Sequence, residues 1–159
     1  TQKPILYVLN VDEDQLKNGF VLPQLRSEEQ LPVSVKTEAE LVELSSEEAK
    51  EYLKTLGVTE TGLDRLVRAS YMLLGLITYL TSGPEETRAW TIKRGVKAPQ
   101  AAGVIHTDFE KGFIRVEVIK WKEFVDYGEA GCREKALLRT EGKEYVMQDG
   151  DVCHFRFSA

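Results

Sequence analysis

The chain has 159 residues, of which 42% are hydrophobic and 30% charged; that is one domain or two small ones and excludes wholesale disorder. Its net charge of −5 excludes a strongly basic nucleic-acid binder taken as a whole, yet residues 88–159 carry 13 Lys/Arg against 11 Asp/Glu, leaving room for a local basic face. No run approaches the ~18 apolar residues of a membrane span, no signal-peptide pattern opens the chain, and the cysteines Cys132 and Cys153 form no CxxC pair, so neither a disulfide framework nor a zinc site is expected and a reducing cytoplasm fits.

Ile5-Leu-Tyr-Val-Leu9 is a continuous β-rich apolar run, the mark of a buried strand in a parallel sheet. It stops in the polar loop Asn10-Val-Asp-Glu-Asp14. Asn18-Gly19 and Pro23 punctuate the next stretch, which leaves room only for a short helix, and Leu31–Val35 reads as a second short strand. A lone strand–crossover–strand piece would leave its faces and edges uncovered, so the first ~45 residues read as the end of something larger. Ser45-Ser-Glu-Glu48 is a capping box that opens a helix running to Leu56 and stopping at Gly57. A second helix is predicted from Thr61, its cap, through Leu63, Leu66, Val67, Leu74 and Ile77 at helical spacing, ending at Ser82-Gly-Pro84; together they make a helical pair over about 46–81.

The period then changes. Arg88–Ile92 alternates as a strand, Lys93-Arg94-Gly95 is a turn, and Val96 opens a paired strand. Pro99–His106 reads as a short helix. Phe113–Ile119 is a strand with Ile114, Val116 and Val118 on its apolar face, and Trp121–Tyr127 is a helical turn or two. Lys143–Met147 and Val152–Phe157 are predicted as two strands joined at Asp149-Gly150. The class is α+β, with a mixed sheet wrapped around one helix, the β-grasp (ubiquitin-like) arrangement. No internal repeat is present.

Two stretches carry more than pattern: Arg88-Ala-Trp-Thr-Ile92 with Ala98–Arg115, including Ile105-His-Thr-Asp108, and Glu141–Phe157, including Gly142-Lys143 and Asp149-Gly-Asp151. Both resemble the C-terminal TGS domain of the YchF family, the Obg-related P-loop ATPases linked to translation and stress. Gly62-Leu63, Arg65, Arg68–Leu74 and Thr78–Gly83 are similar to the helix leading into it. Lys3–Asp14 resembles the last third of the family's nucleotide-binding domain. The resemblance implies three parts: residues 1–45 as the end of that domain, 46–86 as a helical connector and 87–159 as the TGS domain.

Related GTPases read guanine with NKxD; here Asn10-Val-Asp-Glu13 gives NxxE, which displaces the carboxylate and puts Val11 where a Lys covers the base. The resemblance assigns base binding to Asn10, Val11, Glu13, Ser34 and Val35, with a valine where the family has a small alanine. It implies ATP or GTP with Mg²⁺ in the full-length parent. No GxxxxGK[ST] occurs in the sequence, so no phosphate cradle is expected, and for this chain alone neither a bound cofactor nor hydrolysis.

No catalytic residue or metal ligand is assigned. His106 and Asp108 read as a local pair at a helix-to-strand turn, and His154 as a sheet-surface residue. Arg88, Lys93, Arg94, Lys97, Lys111 and Arg115 are candidate RNA or ribosome contacts through phosphates, alongside Lys120 and Lys122; Trp90 and Trp121 read as core. The other reading is a protein-binding or intramolecular regulatory β-grasp module without RNA contact. No membrane partner is expected.

Overall fold

The computed structural model describes residues 3–84 and 86–158, which divide into two compact units, Thr1–Leu74 and Gly75–Ala159. In the first, β1 (Tyr7–Asn10) pairs in parallel with β2 (Gln30–Val33), and α1 (Glu13–Lys17) and one 3-10 turn (Ser27–Glu29) lie between them. The parallel pairing is as predicted. The burial of the first strand is not: Tyr7 and Val8 of β1 are about half exposed, whereas Gln30, Leu31 and Val33 of its partner β2 are buried. Three helices follow, α2 (Val35–Val42), α3 (Ser46–Thr55) and α4 (Gly62–Leu74). The capping box forms as read: Ser45 Oγ accepts from the Glu48 N–H (3.4 Å) and Glu48 Oε2 from the Ser45 N–H (2.9 Å). Thr61 Oγ1 caps α4 by accepting from the Asp64 N–H (3.0 Å).

The predicted second helix is corrected at its C-terminal third. It ends at Leu74, where Gly75 turns the chain at φ +60°. Leu76–Ser82 is β3, not helix. Its Ile77 and Tyr79 are buried with a period of 2, and tertiary pairing overrides the apolar spacing that joins Leu74 to Ile77.

The second unit is a five-stranded mixed sheet of order β4-β3-β7-β5-β6, with β4 (Thr87–Lys93), β5 (Phe113–Lys120), β6 (Arg139–Glu141) and β7 (Asp151–Phe157). β3 and β7 run parallel and the other neighbours antiparallel. One face packs on α5 (Ala98–Ile105) around a core of Ile77, Tyr79, Ile92, Ala101, Ala102, Val116, Val118, Met147, Cys153 and Phe155. The Tyr79 hydroxyl donates to the Ala101 carbonyl (2.8 Å), and its ring meets Phe155 edge-on. Next come α6 (Thr107–Lys111) and, after β5, α7 (Trp121–Glu134), which is kinked at Gly128 and longer than the predicted turn or two.

Three further readings change. Val96 opens no strand; only an isolated bridge joins Lys97 to Val146. Lys143–Met147 is no strand either, and Asp149-Gly150 joins no hairpin; β7 pairs instead with β5 and β3. A register shift between Phe113 and Arg115 turns Ile114 outward, so Phe113, Val116 and Val118 form the core face.

The segment before β7 is a clamp. Asp149 Oδ1 accepts from the Thr78 N–H (2.8 Å), and the Gly150 N–H donates to the Thr78 carbonyl (2.8 Å). The Asp151 carboxylate, wholly buried, accepts from Lys120 Nζ (2.7 Å), the Tyr145 hydroxyl (2.7 Å) and the Gln148 N–H (2.9 Å). Burial, with the Asp151 hydrogen bond behind it, pushes the Tyr145 hydroxyl up to about 12. An unfolded tyrosine titrates near ~10, so the native state holds this proton longer. That contribution is intact below pH ~10 and is lost as pH rises from there to about 12. Urea titrations across this range are expected to show a shallower alkaline fall in stability for Tyr145→Phe than for the parent.

Candidate functional site

The carboxyl ends of β1 and β2 open onto a cleft of about 590 Å³ lined by Asn10, Val11, Asp12, Glu13, Asp14, Ser34 and Lys36. In open parallel sheets ligands enter at this end of the strands. Local chemistry sets each position. Asn10 ends β1, and its Oδ1 accepts from the Val35 N–H (3.3 Å), stapling the two strand ends together. Its amide nitrogen has no partner among the described residues. Val11 is buried, and its N–H donates to the Val33 carbonyl (3.0 Å). Asp12 and Gln15 form a capping box that starts α1 and so places Glu13 in its first turn. Ser34, buried, caps α2 by accepting from the Thr37 N–H (3.3 Å).

The structure therefore brings Asn10, Val11, Glu13 and Ser34 together at one cleft. Val35 adjoins through its N–H, with its side chain exposed. Sequence reasoning gave the Lys36 side chain no role. Its Nζ lies 3.1 Å from Glu13 and 3.6 Å from Glu40, and the Tyr52 hydroxyl donates to Glu40 (2.9 Å). The Glu13 hydrogen bond holds the Lys36 ammonium above its ordinary range. Lys36 sits on the first turn of α2, one residue beyond Val35, and a cation there facing an acidic loop was the available signal. Behind the cleft, Glu38 of α2 accepts from the Gly62 and Leu63 N–H groups (2.7 and 3.2 Å), tying α4 to α2. Gly62 allows this close approach: a Cβ there would stand 2.6 Å from Val33 Cγ1.

Asn10 supplies an amide donor and Glu13 a carboxylate acceptor. No group of His, Cys, Asp or Glu that could hold a metal is found among the described residues.

The six predicted basic contacts do not form one patch. Arg88 lies on edge strand β4, 4.5 Å over the ring of Trp90, with Lys93 and Arg94 at that strand's end. Lys97 stands just before α5 without a side-chain capping bond and pairs with Glu144 (2.5 Å), and Lys111 lies in the last turn of α6. Arg115 is on β5, separated from β4 by β3 and β7. His106 caps α6: its Nδ1 accepts from the Asp108 N–H (3.2 Å). Cys132 and Cys153 are buried, and burial pushes both thiols up. No helix among the described residues is long and apolar enough to cross a membrane.

Comparison with known proteins places this geometry. The family model YchF-GTPase_C, described as "Protein of unknown function (DUF933)", matches residues 76–158. A "Ribosome-binding ATPase YchF" of Pasteurella multocida (strain Pm70) is 50% identical over 165 residues, covering 99% of this chain and 46% of that protein. One of Bacillus subtilis (strain 168) is 49% identical over 168 residues, with the same coverage of 99% and 46%. The solved structure of the Schizosaccharomyces pombe YchF GTPase matches with a TM-score of 0.81 at 38% identity, over 97% of this chain and 43% of that one. The chain thus spans less than half the length of these relatives, and the family model takes in β3 together with everything that β3 pairs with, so the chain belongs to the YchF C-terminal family.

Proposed function

We propose that this chain is the C-terminal part of a ribosome-associated, nucleotide-dependent ATPase or GTPase of the YchF type. Residues 1–45 complete a P-loop nucleotide-binding domain, 46–74 connect, and 75–159, which take in β3, form a TGS β-grasp domain that contacts the ribosome or RNA. The observation that carries the nucleotide reading is the meeting of Asn10, Glu13 and Ser34 at the carboxyl ends of two parallel strands. The full-length protein takes ATP or GTP with Mg²⁺. Here the base sits against the Val11 loop, and the Glu13 carboxylate accepts from an exocyclic amine while Lys36 orients it. Asn10 holds the two strand ends in register through Val35. The phosphates find no cradle in this sequence, so the chain alone is expected not to turn over nucleotide.

Ribosome association is tested by cosedimentation through a salt series. The chain is expected to pellet with ribosomes at low salt and to be released steeply as salt rises, because phosphate contacts exchange for counterions. Absence from the low-salt pellet overturns the ribosome reading. Salt-insensitive pelleting favours a protein contact in place of RNA.

A further inference from the structure

On the sheet face turned from the core, β5, β7 and α7 bring three arginines onto one carboxylate. Glu117 is 8% exposed. Its Oε2 accepts from Arg156 (3.1 Å) and Arg133 (3.4 Å), and Arg115 stands 3.6 Å from Oε1. Arg115 lies directly opposite Arg156 in the ladder, and Glu117 opposite the exposed His154. Like charges directly opposite on one face destabilise a strand pair. Among the described residues only one further carboxylate, Glu129 on Arg133 (2.9 Å), joins the group.

Three guanidiniums thus share two carboxylates, and each touches Glu117 through a single terminal nitrogen of the five N–H donors it carries. Arg156 Nε is buried and without a partner among the described residues. The arginine side chains are otherwise 41–50% exposed, so each guanidinium still reaches solvent. The Arg156 hydrogen bond holds the Glu117 carboxyl below its usual range, so it remains an anion among them.

We propose that Arg115, Arg133 and Arg156, beside His154, form a binding site for the sugar–phosphate backbone of RNA, with Glu117 as a built-in anion that holds the arginines in place. Guanidinium forks match phosphate oxygens in pairs. The cavity beside Glu117 and His154 is only about 20 Å³, too small for a buried phosphoryl group, so the site suits a polyanion laid across an open face. The proposal rests on the RNA reading given above and names the residues that serve it. Of these, only Arg115 stands among the basic contacts expected from sequence.

The test uses the 159-residue chain and a fluorescein-labelled single-stranded RNA, read by anisotropy across a salt series. Arg115→Gln/Arg156→Gln is expected to raise Kd about tenfold at low salt and to flatten the salt slope by about 1.4, two contacts at the single-strand value. Glu117→Gln is expected to bind about threefold more weakly, since the arginines lose the anion that holds them in place. Circular dichroism checks folding of each variant. Should the double glutamine variant not fold, Arg115→Lys/Arg156→Lys serves, and it is expected to keep the salt slope and lose about threefold in affinity. RNA binding unchanged in the folded variants overturns the site and leaves the RNA reading standing. No RNA binding by the parent chain at low salt overturns both, and tighter binding of polyglutamate than of RNA at equal charge overturns the choice of RNA.

Discussion

Asp151→Ala is expected to cost about 3–5 kcal/mol of stability, the range for removing one partner from a buried charged network. The carboxylate is wholly buried and receives three donors from two segments: Lys120 at the end of β5, and the Tyr145 hydroxyl and Gln148 backbone of the segment before β7. Alanine leaves the Tyr145 hydroxyl and the Gln148 N–H unsatisfied and Lys120 without its anion. Urea unfolding at pH 7 reads the loss as a lower midpoint at unchanged m-value. Asp151→Asn keeps an acceptor for Tyr145 but not the charge for Lys120, and is expected to cost about 1.5–3 kcal/mol, the value of a hydrogen bond to a charged group. Asp151→Ala within 1 kcal/mol of the parent would show that the network is dispensable.

The neighbouring glycine carries the second large effect. Gly150 sits at φ +76°, and a Cβ there would run into the Trp121 ring. Alanine pays about 1 kcal/mol for the left-handed backbone and about 1–3 kcal/mol for overpacking. The backbone cannot shift freely to relieve the clash. The Gly150 N–H is held by the Thr78 carbonyl, and its own carbonyl by the Trp121 N–H (3.0 Å). The total, about 2–4 kcal/mol, is checked by the same denaturation experiment, with Trp121 emission shifting as the ring swings away. Trp121→Ala combined with Gly150→Ala separates the two causes. The ring clash disappears and the strain stays, so the double variant is expected to be more stable than the sum of the single changes predicts. Strict additivity would place the whole cost in the backbone.

Much of the fold could be read where local chemistry decides it. The Ser45–Glu48 box and the Thr61 cap follow from residues within a few positions. So does α5, begun by Pro99 and lined by Ala101 and Ala102. Three errors share another cause. Leu76–Ser82 continues a helical apolar spacing, and only pairing with β4 and β7 makes it a strand; the cue was Gly75 followed by Ile77, Thr78, Tyr79 and Thr81. Asp149-Gly150 is a hairpin signal by composition, yet the strand after it pairs with β5 and β3, which precede it in sequence. The bulge at Ile114 reverses a face that strict alternation assigns inward.

At the cleft, Asn10 and Glu13 stood out because the NxxE loop follows a strand directly, and Ser34 through the resemblance alone; the three line one opening. Lys36 did not stand out, because its role depends on Glu13 and Glu40, 23 residues before it and four after. Arg133 and Arg156 were missed for the same reason. Their meeting at Glu117 joins three elements that are far apart in sequence, although the alternation of Cys153 and Phe155 inward leaves Arg156 outward.

The position of β7 bears on how the second unit assembles. It is the last strand in sequence, yet it stands between β3 and β5 in space. The β3–β4 hairpin and the β5–β6 pair share no ladder until it arrives. Its contacts span more than 70 residues on one side, as the bond from Thr78 to Asp149 illustrates. Such long-range closure slows folding relative to local pairing. During synthesis, then, two half-sheets wait for one strand, and the sheet closes as a single late event rather than growing edge by edge.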